Sequence, residues 1–124
     1  MKALLIAIVD DNDSFRGAAT SFVQSLGYTV AAFSSAEEFL QSGRIDDTAC
    51  LISDVQMPGI NGLELRDRLR TQGHRLPIIF VSAHPASELP ECAMKAGAQR
   101  FLNKPFCEHE MISCLDQALA NQKV

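Results

Sequence analysis

The chain has 124 residues, 47% of them apolar and 21% charged, with a net charge of −4. That describes one globular domain with room for a real core, and excludes a disordered segment. The acidic balance argues against a chain that by itself grips a nucleic-acid backbone or an anionic membrane.

The start, Met1 to Val9, faintly imitates a signal peptide, with one lysine and a short apolar run. Asp10-Asp11-Asn12-Asp13 follows where small cleavage-site residues belong, so the stretch reads as a first strand, Leu4 to Val9. No run is long enough to span a membrane, and the expected location is cytoplasmic. Asp13 or Ser14 can cap a first helix with an apolar stripe of Phe15, Ala19, Phe22, Val23 and Leu26, closed by Gly27. Strand two is Tyr28 to Phe33. Ser34 with Glu37, or Ser35 with Glu38, makes a capping box for a short helix that turns Phe39 and Leu40 inward and stops at Gly43.

The third strand organises the rest. An apolar run, Ala49 to Ile52, ends in Asp54 and is followed by Met57-Pro58-Gly59, which must turn. A short continuous apolar run bounded by turn residues is the pattern of a strand buried on both faces. Asn61, with Glu64 three residues on, starts a third helix that runs to about Gln72 and ends at Gly73, with Leu65 and Leu69 inward. Arg66, Arg68 and Arg70 read as a solvated face. Strand four is Pro77 to Val81, with proline at its first position. Ser82 to Leu89 has no period and is where mobility is expected. A fourth helix is expected from Pro90 to Gly97, a fifth strand from Gln99 to Leu102, and, after Pro105, a fifth helix with Met111, Ile112, Leu115 and Leu119 on one face.

Strand then helix, five times, calls for an α/β fold: a parallel sheet with helices on both faces and right-handed crossovers. There is no repeat, linker or low-complexity tract, and residues 1–124 read as a single domain. Cys50, Cys92, Cys107 and Cys114 form no C-x-x-C pair and lie among apolar residues, so they read as free buried thiols. Cys107 and Cys114, seven apart, would share a helix face.

Polar residues fall at the carboxyl ends of four strands: Asp10 and Asp11, Asp54, Ser82 and Lys104. In open α/β sheets ligands collect at that edge. Each residue alone could be a cap, a turn residue or a surface charge; together those readings require several coincidences at one edge. If strands one and three are neighbours, three carboxylates converge, and like charges that close need compensation. A hard divalent cation, Mg²⁺ or Mn²⁺, supplies it. A lysine and a hydroxyl beside the cation suit a phosphoryl group, with a carboxylate as nucleophile.

At this point the chain resembles the receiver domain of two-component response regulators. The resemblance rests on Ile8-Val9-Asp10-Asp11, on Ser53 to Gly62, on Ile78 to His84, on Ala93 to Ala98, and on Phe101-Leu102-Asn103-Lys104-Pro105-Phe106. The stretches around Met94 to Gly97 and Lys104 to Phe106 are most similar to the FixJ-type branch. The resemblance implies a (βα)5 flavodoxin-like topology with strand order 2-1-3-4-5. It implies Asp54 as phosphoacceptor, with Asp10, Asp11, Asp54 and the backbone carbonyl of Gln56 holding Mg²⁺. Ser82 would be the switch hydroxyl, Phe101 the coupled aromatic, and Lys104 the partner of the phosphoryl group. It further implies a sensor histidine kinase as donor and a change in the face formed by the fourth helix, fifth strand and fifth helix. A homodimer through that face on phosphorylation is also expected. Members of the branch usually carry a C-terminal helix-turn-helix domain, so the chain is either a stand-alone receiver or a piece of a longer regulator.

The chain departs from the commonest pattern in Ser82 for threonine, Phe101 for tyrosine, and Asn12 where an acid is common. Gln56 and His84 stand where the family varies, and these positions flank the phosphoryl group. Three rivals remain. One is a receiver-like interaction module that takes no phosphate. Another is an aspartyl phosphohydrolase, which would need a second acid where Gln56 stands. The third is a flavodoxin-like cofactor carrier, whose phosphate Asp10-Asp11-Asn12-Asp13 would repel.

Overall fold

The computed structural model describes residues 4–57, 59–74, 76–82, 100–103 and 107–120. The expected loop after Ser82, the fourth helix, Cys92, Lys104 and Pro105 lie outside the described residues, as does the side chain of Phe101.

Five strands form one parallel sheet: β1 (Leu5–Val9), β2 (Thr29–Phe33), β3 (Thr48–Asp54), β4 (Ile78–Ser82) and β5 (Arg100–Asn103), in the order β2-β1-β3-β4-β5. The two halves of the chain wind outward from β1 and β3, so these strands meet at the topological switch point. Every residue of β1, β3 and β4 is buried, which is why their central stretches, residues 5–9, 49–52 and 78–81, are apolar without alternation. β2 lies at an edge and is only partly covered.

Two separate cores flank the sheet. One packs Ile6, Ile8, Ile52 and Val81 against Ala19 and Val23 of α1 (Asp13–Ser25) and Met111, Leu115 and Leu119 of the last helix (Glu108–Leu119). The other packs Ala7, Val9, Leu51 and Phe80 against Phe39 of α2 (Ala36–Gln41) and Leu65 and Leu69 of α3 (Gly62–Thr71). Phe33 meets Phe39 edge to face, with ring centroids 5.4 Å apart.

Local signals decide the helix ends. Asn61 Oδ1 accepts the Glu64 N–H at 2.9 Å, as the sequence predicts. Ser35, of the two candidate boxes, caps α2 by accepting the Glu38 N–H at 3.1 Å, while the Glu38 carboxylate accepts the Ser34 hydroxyl. Gly27, Gly43 and Gly73 follow their helices with positive φ.

Four expectations are corrected. The cap of α1 is Asn12, whose Oδ1 accepts the Phe15 N–H at 2.9 Å; Asp13 engages Arg16 instead. Leu26 is exposed, because it is the C-cap and has left the helical stripe. Arg66 is buried, since it stands one residue from Leu65 and three from Leu69, within the arc α3 turns inward. Its Nε and Nη2 donate to Asp67 Oδ1, while Arg68 and Arg70 are exposed.

The fourth correction concerns the thiols. Cys107 is exposed and is the extended N-cap of the last helix, so it does not share a helix face with buried Cys114. Cys50 is buried in β3; burial first, then the neighbouring Cys114, pushes its thiol up to about 12. Its contribution to stability is therefore present below the ordinary thiol range, near 9, and is lost as pH rises toward 12. In the native protein at neutral pH, Ellman's reagent should label Cys107 rapidly and Cys50 only after denaturation. Mass mapping of the labelled peptides checks the order.

Candidate functional site

The site is built by strand register. Val9 of β1 pairs with Ser53 of β3, and Asp54 pairs with Val81 of β4. Asp10 follows Val9, and Ser82 follows Val81, so Asp10, Asp54 and Ser82 all lie at one edge of the sheet. Asp10 is 1% exposed, Asp54 7% and Ser82 2%, whereas Asp11 is exposed. One carboxylate oxygen from each of Asp10, Asp11 and Asp54 lies within 4.8 Å of the others.

Main-chain bonds hold both loops that carry these groups. The Asp10 N–H donates to the Phe33 carbonyl at 3.1 Å, tying the end of β1 to the end of β2. The Asn12 N–H donates to Asp10 Oδ1 at 2.8 Å. In the other loop, the Gln56 N–H donates to Asp54 Oδ1 at 3.3 Å, and the Val55 N–H donates to the Val81 carbonyl at 3.1 Å. Gly62 closes this loop by donating its N–H to the Val55 carbonyl at 3.0 Å.

Two glycines let the second loop take this path. Gly59 turns the chain with φ +75°, and a Cβ there would stand 2.7 Å from Glu37 Oε2. At Gly62 a Cβ would stand 2.4 Å from the Asp54 carbonyl oxygen and 3.1 Å from Val55 Cα. α3 therefore starts directly against the backbone of the strand end that presents Asp54.

The donor set fits a hard cation. All three groups are carboxylate oxygens, and their spacing is one that a small divalent ion bridges directly or through its own waters. Among the described residues the structure thus brings together Asp10, Asp11 and Asp54, and places Ser82 at the same edge. Gln56 stands in the adjoining loop with its side chain exposed. Lys104 and the side chain of Phe101 lie outside the described residues, although the backbone of Phe101 is in β5 beside Phe80.

Sequence reasoning missed two residues at this edge. Gly62 supplies the close approach just described. Arg16 reaches back from α1, donating from Nη1 to the Asp10 carbonyl at 2.8 Å and from Nη2 to Asp13 Oδ1. The i,i+3 spacing of Asp13 and Arg16 is the signal that could have pointed to the second contact.

Comparison with known proteins matches this geometry. The family model described as "Response regulator receiver domain" covers residues 6–116. The response regulator protein TodT of Pseudomonas putida is 40% identical over 118 residues, which is 95% of this chain and 52% of that protein. The transcriptional regulatory protein FixJ of Azorhizobium caulinodans is 36% identical over 95% of this chain and 56% of its own length. The chain thus spans about half the length of the curated relatives it matches. Among solved structures, the response regulator StyR superposes with a TM-score of 0.86 at 36% identity, covering 94% of this chain and 59% of that one. The Vibrio cholerae chemotaxis protein CheY4 superposes with 0.84 at 27% identity, covering 96% of this chain and 100% of that one. With acids at the carboxyl ends of β1 and β3 gathered at the switch point of a five-stranded sheet, and relatives of the FixJ type over nearly its whole length, this chain belongs to the response regulator receiver domain family.

Proposed function

We propose that this chain is a phosphorylation-driven switch in which Asp54 accepts a phosphoryl group from a sensor histidine kinase or a small phosphodonor such as acetyl phosphate. The observation that carries the reading is the convergence of three carboxylates, within 4.8 Å, at the end of a buried strand. Asp54 is the member of that set with its backbone inside the sheet: it closes β3 in register with Val81 of β4, one residue beyond the last β1 pairing at Ser53.

An Asp54 carboxylate oxygen forms the bond to phosphorus while the donor's leaving group departs with its bonding pair, giving an acyl phosphate. Asp10, Asp11, Asp54 and the backbone carbonyl of Gln56 are the residues that would hold Mg²⁺ or Mn²⁺, which when bound neutralises charge on the transferring oxygens. Ser82 supplies a hydroxyl donor at the same edge, and Lys104 supplies a positive charge. Drawing the Ser82 hydroxyl toward the phosphoryl group lets Phe101 change rotamer. The face of the fourth helix, fifth strand and fifth helix then changes packing, a population shift biased by local charge.

On this reading residues 1–124 are one receiver domain. It catalyses its own phosphorylation and slow dephosphorylation and turns over no other substrate. It works in the cytoplasm, beside the kinase that supplies its phosphoryl group. A C-terminal helix-turn-helix output domain fits relatives about twice as long, and phosphorylation would bring two copies together through the switched face.

Intact mass after incubation with acetyl phosphate, with and without Mg²⁺, tests the proposal. One phosphoryl group should be added, and only with Mg²⁺. No addition, together with no structural response to beryllofluoride, would overturn it in favour of a phosphate-independent interaction module.

A further inference from the structure

The turn that carries Asp10 and Asp11 has an unusual anchor. The carbonyl of Asp10 belongs to the peptide that joins Asp10 to Asp11. That peptide is planar and joins the two Cα atoms, so fixing its orientation restricts the directions in which the two side chains leave the backbone. Arg16 Nη1 donates to this carbonyl at 2.8 Å, and Nη2 of the same guanidinium is paired with Asp13. The side chain is only 21% exposed, which shelters the contact from water.

Other bonds of the turn fall on neighbouring groups. The Phe33 carbonyl holds the Asp10 N–H, on the preceding peptide. The Asn12 N–H holds Asp10 Oδ1, and the Asn12 carbonyl accepts the Arg16 N–H at 2.9 Å. The planar fork of a guanidinium reaches two acceptors in fixed relative positions, which the single ammonium of a lysine cannot reproduce.

We propose that Arg16 is a positioning residue for the cation site: by fixing the Asp10–Asp11 peptide it aims both carboxylates at Asp54. The inference rests on the magnesium reading above. It assigns the arginine's effect to geometry, with its positive charge secondary.

The test is calorimetric titration of Mg²⁺ into the whole chain, as wild type, Arg16→Lys and Arg16→Ala, with melting curves in EDTA alongside. Partners that orient metal ligands typically contribute about 10- to 100-fold in affinity. Both variants should lose at least about 10-fold in Mg²⁺ affinity, and lysine should fail to restore it. A lysine variant that binds as wild type would overturn the geometric role. So would variants that melt earlier in EDTA yet keep the wild-type dissociation constant, the behaviour of a merely structural contact. If wild type itself binds no Mg²⁺, the function proposed above falls and this inference with it; if wild type binds and the variants match it, only the role of Arg16 falls.

Discussion

Replacing Asp54 with asparagine should leave a folded protein that takes up no phosphoryl group. Asparagine has nearly the shape of aspartate and keeps an oxygen for the Gln56 N–H, so the loop retains its bond at the strand end. The amide is a poor nucleophile and cannot form the acyl phosphate. Asp54→Asn also removes one of three clustered negative charges, which lowers their mutual repulsion in the absence of metal. The variant should therefore melt no earlier than wild type while showing complete loss of uptake by intact mass. Retained, Mg²⁺-dependent uptake in the asparagine variant would move the acceptor to another residue.

Gly62→Ala should be strongly destabilising, although alanine is ordinarily the better helix former by up to about 1 kcal/mol. The obstacle is not a side chain that can swing aside. The added methyl would stand 2.4 Å from the Asp54 carbonyl oxygen and 3.2 Å from the Asp54 carbonyl carbon, both main chain. Either α3 retreats from the sheet or the end of β3 moves. Overpacking of this kind costs about 1–3 kcal/mol, and a rigid obstacle places Gly62→Ala at the upper end of that range or above it. The displaced strand end is the one that presents Asp54, so phosphoryl uptake should slow along with the loss of stability. Urea unfolding and a time course of intact mass measure the two effects. A variant as stable as wild type would show that α3 can shift freely, contrary to the packing of Leu65 and Leu69 in the core.

The two results would divide the site between chemistry and support. Asp54→Asn tests the reacting group in an unchanged frame; Gly62→Ala disturbs the frame and leaves the reacting group in place. Arg16 stands between these cases, since it touches the backbone of one candidate ligand and leaves every carboxylate intact.

Much of the architecture was legible in the sequence because burial writes itself into local pattern. β1, β3 and β4 are buried along their whole length, and each has an apolar run, residues 5–9, 49–52 and 78–81, that gives way to polar residues at the carboxyl end. Asn61 and Ser35 marked helix starts because a capping bond spans only three residues. Asp54, as the residue between a buried run and an obligatory turn, was identifiable for the same local reason. What sequence by itself could not determine depends on contacts between distant segments. Arg66 is buried and Cys107 exposed because of where α3 and the last helix rest on the sheet, which composition does not record. Above all, the meeting of Asp10 and Asp11 with Asp54 required β1 to lie directly beside β3, which the family resemblance implied and local pattern did not, with Val9 in register with Ser53. That adjacency follows from the crossover of the chain at the switch point, and it turns separate acids into one site.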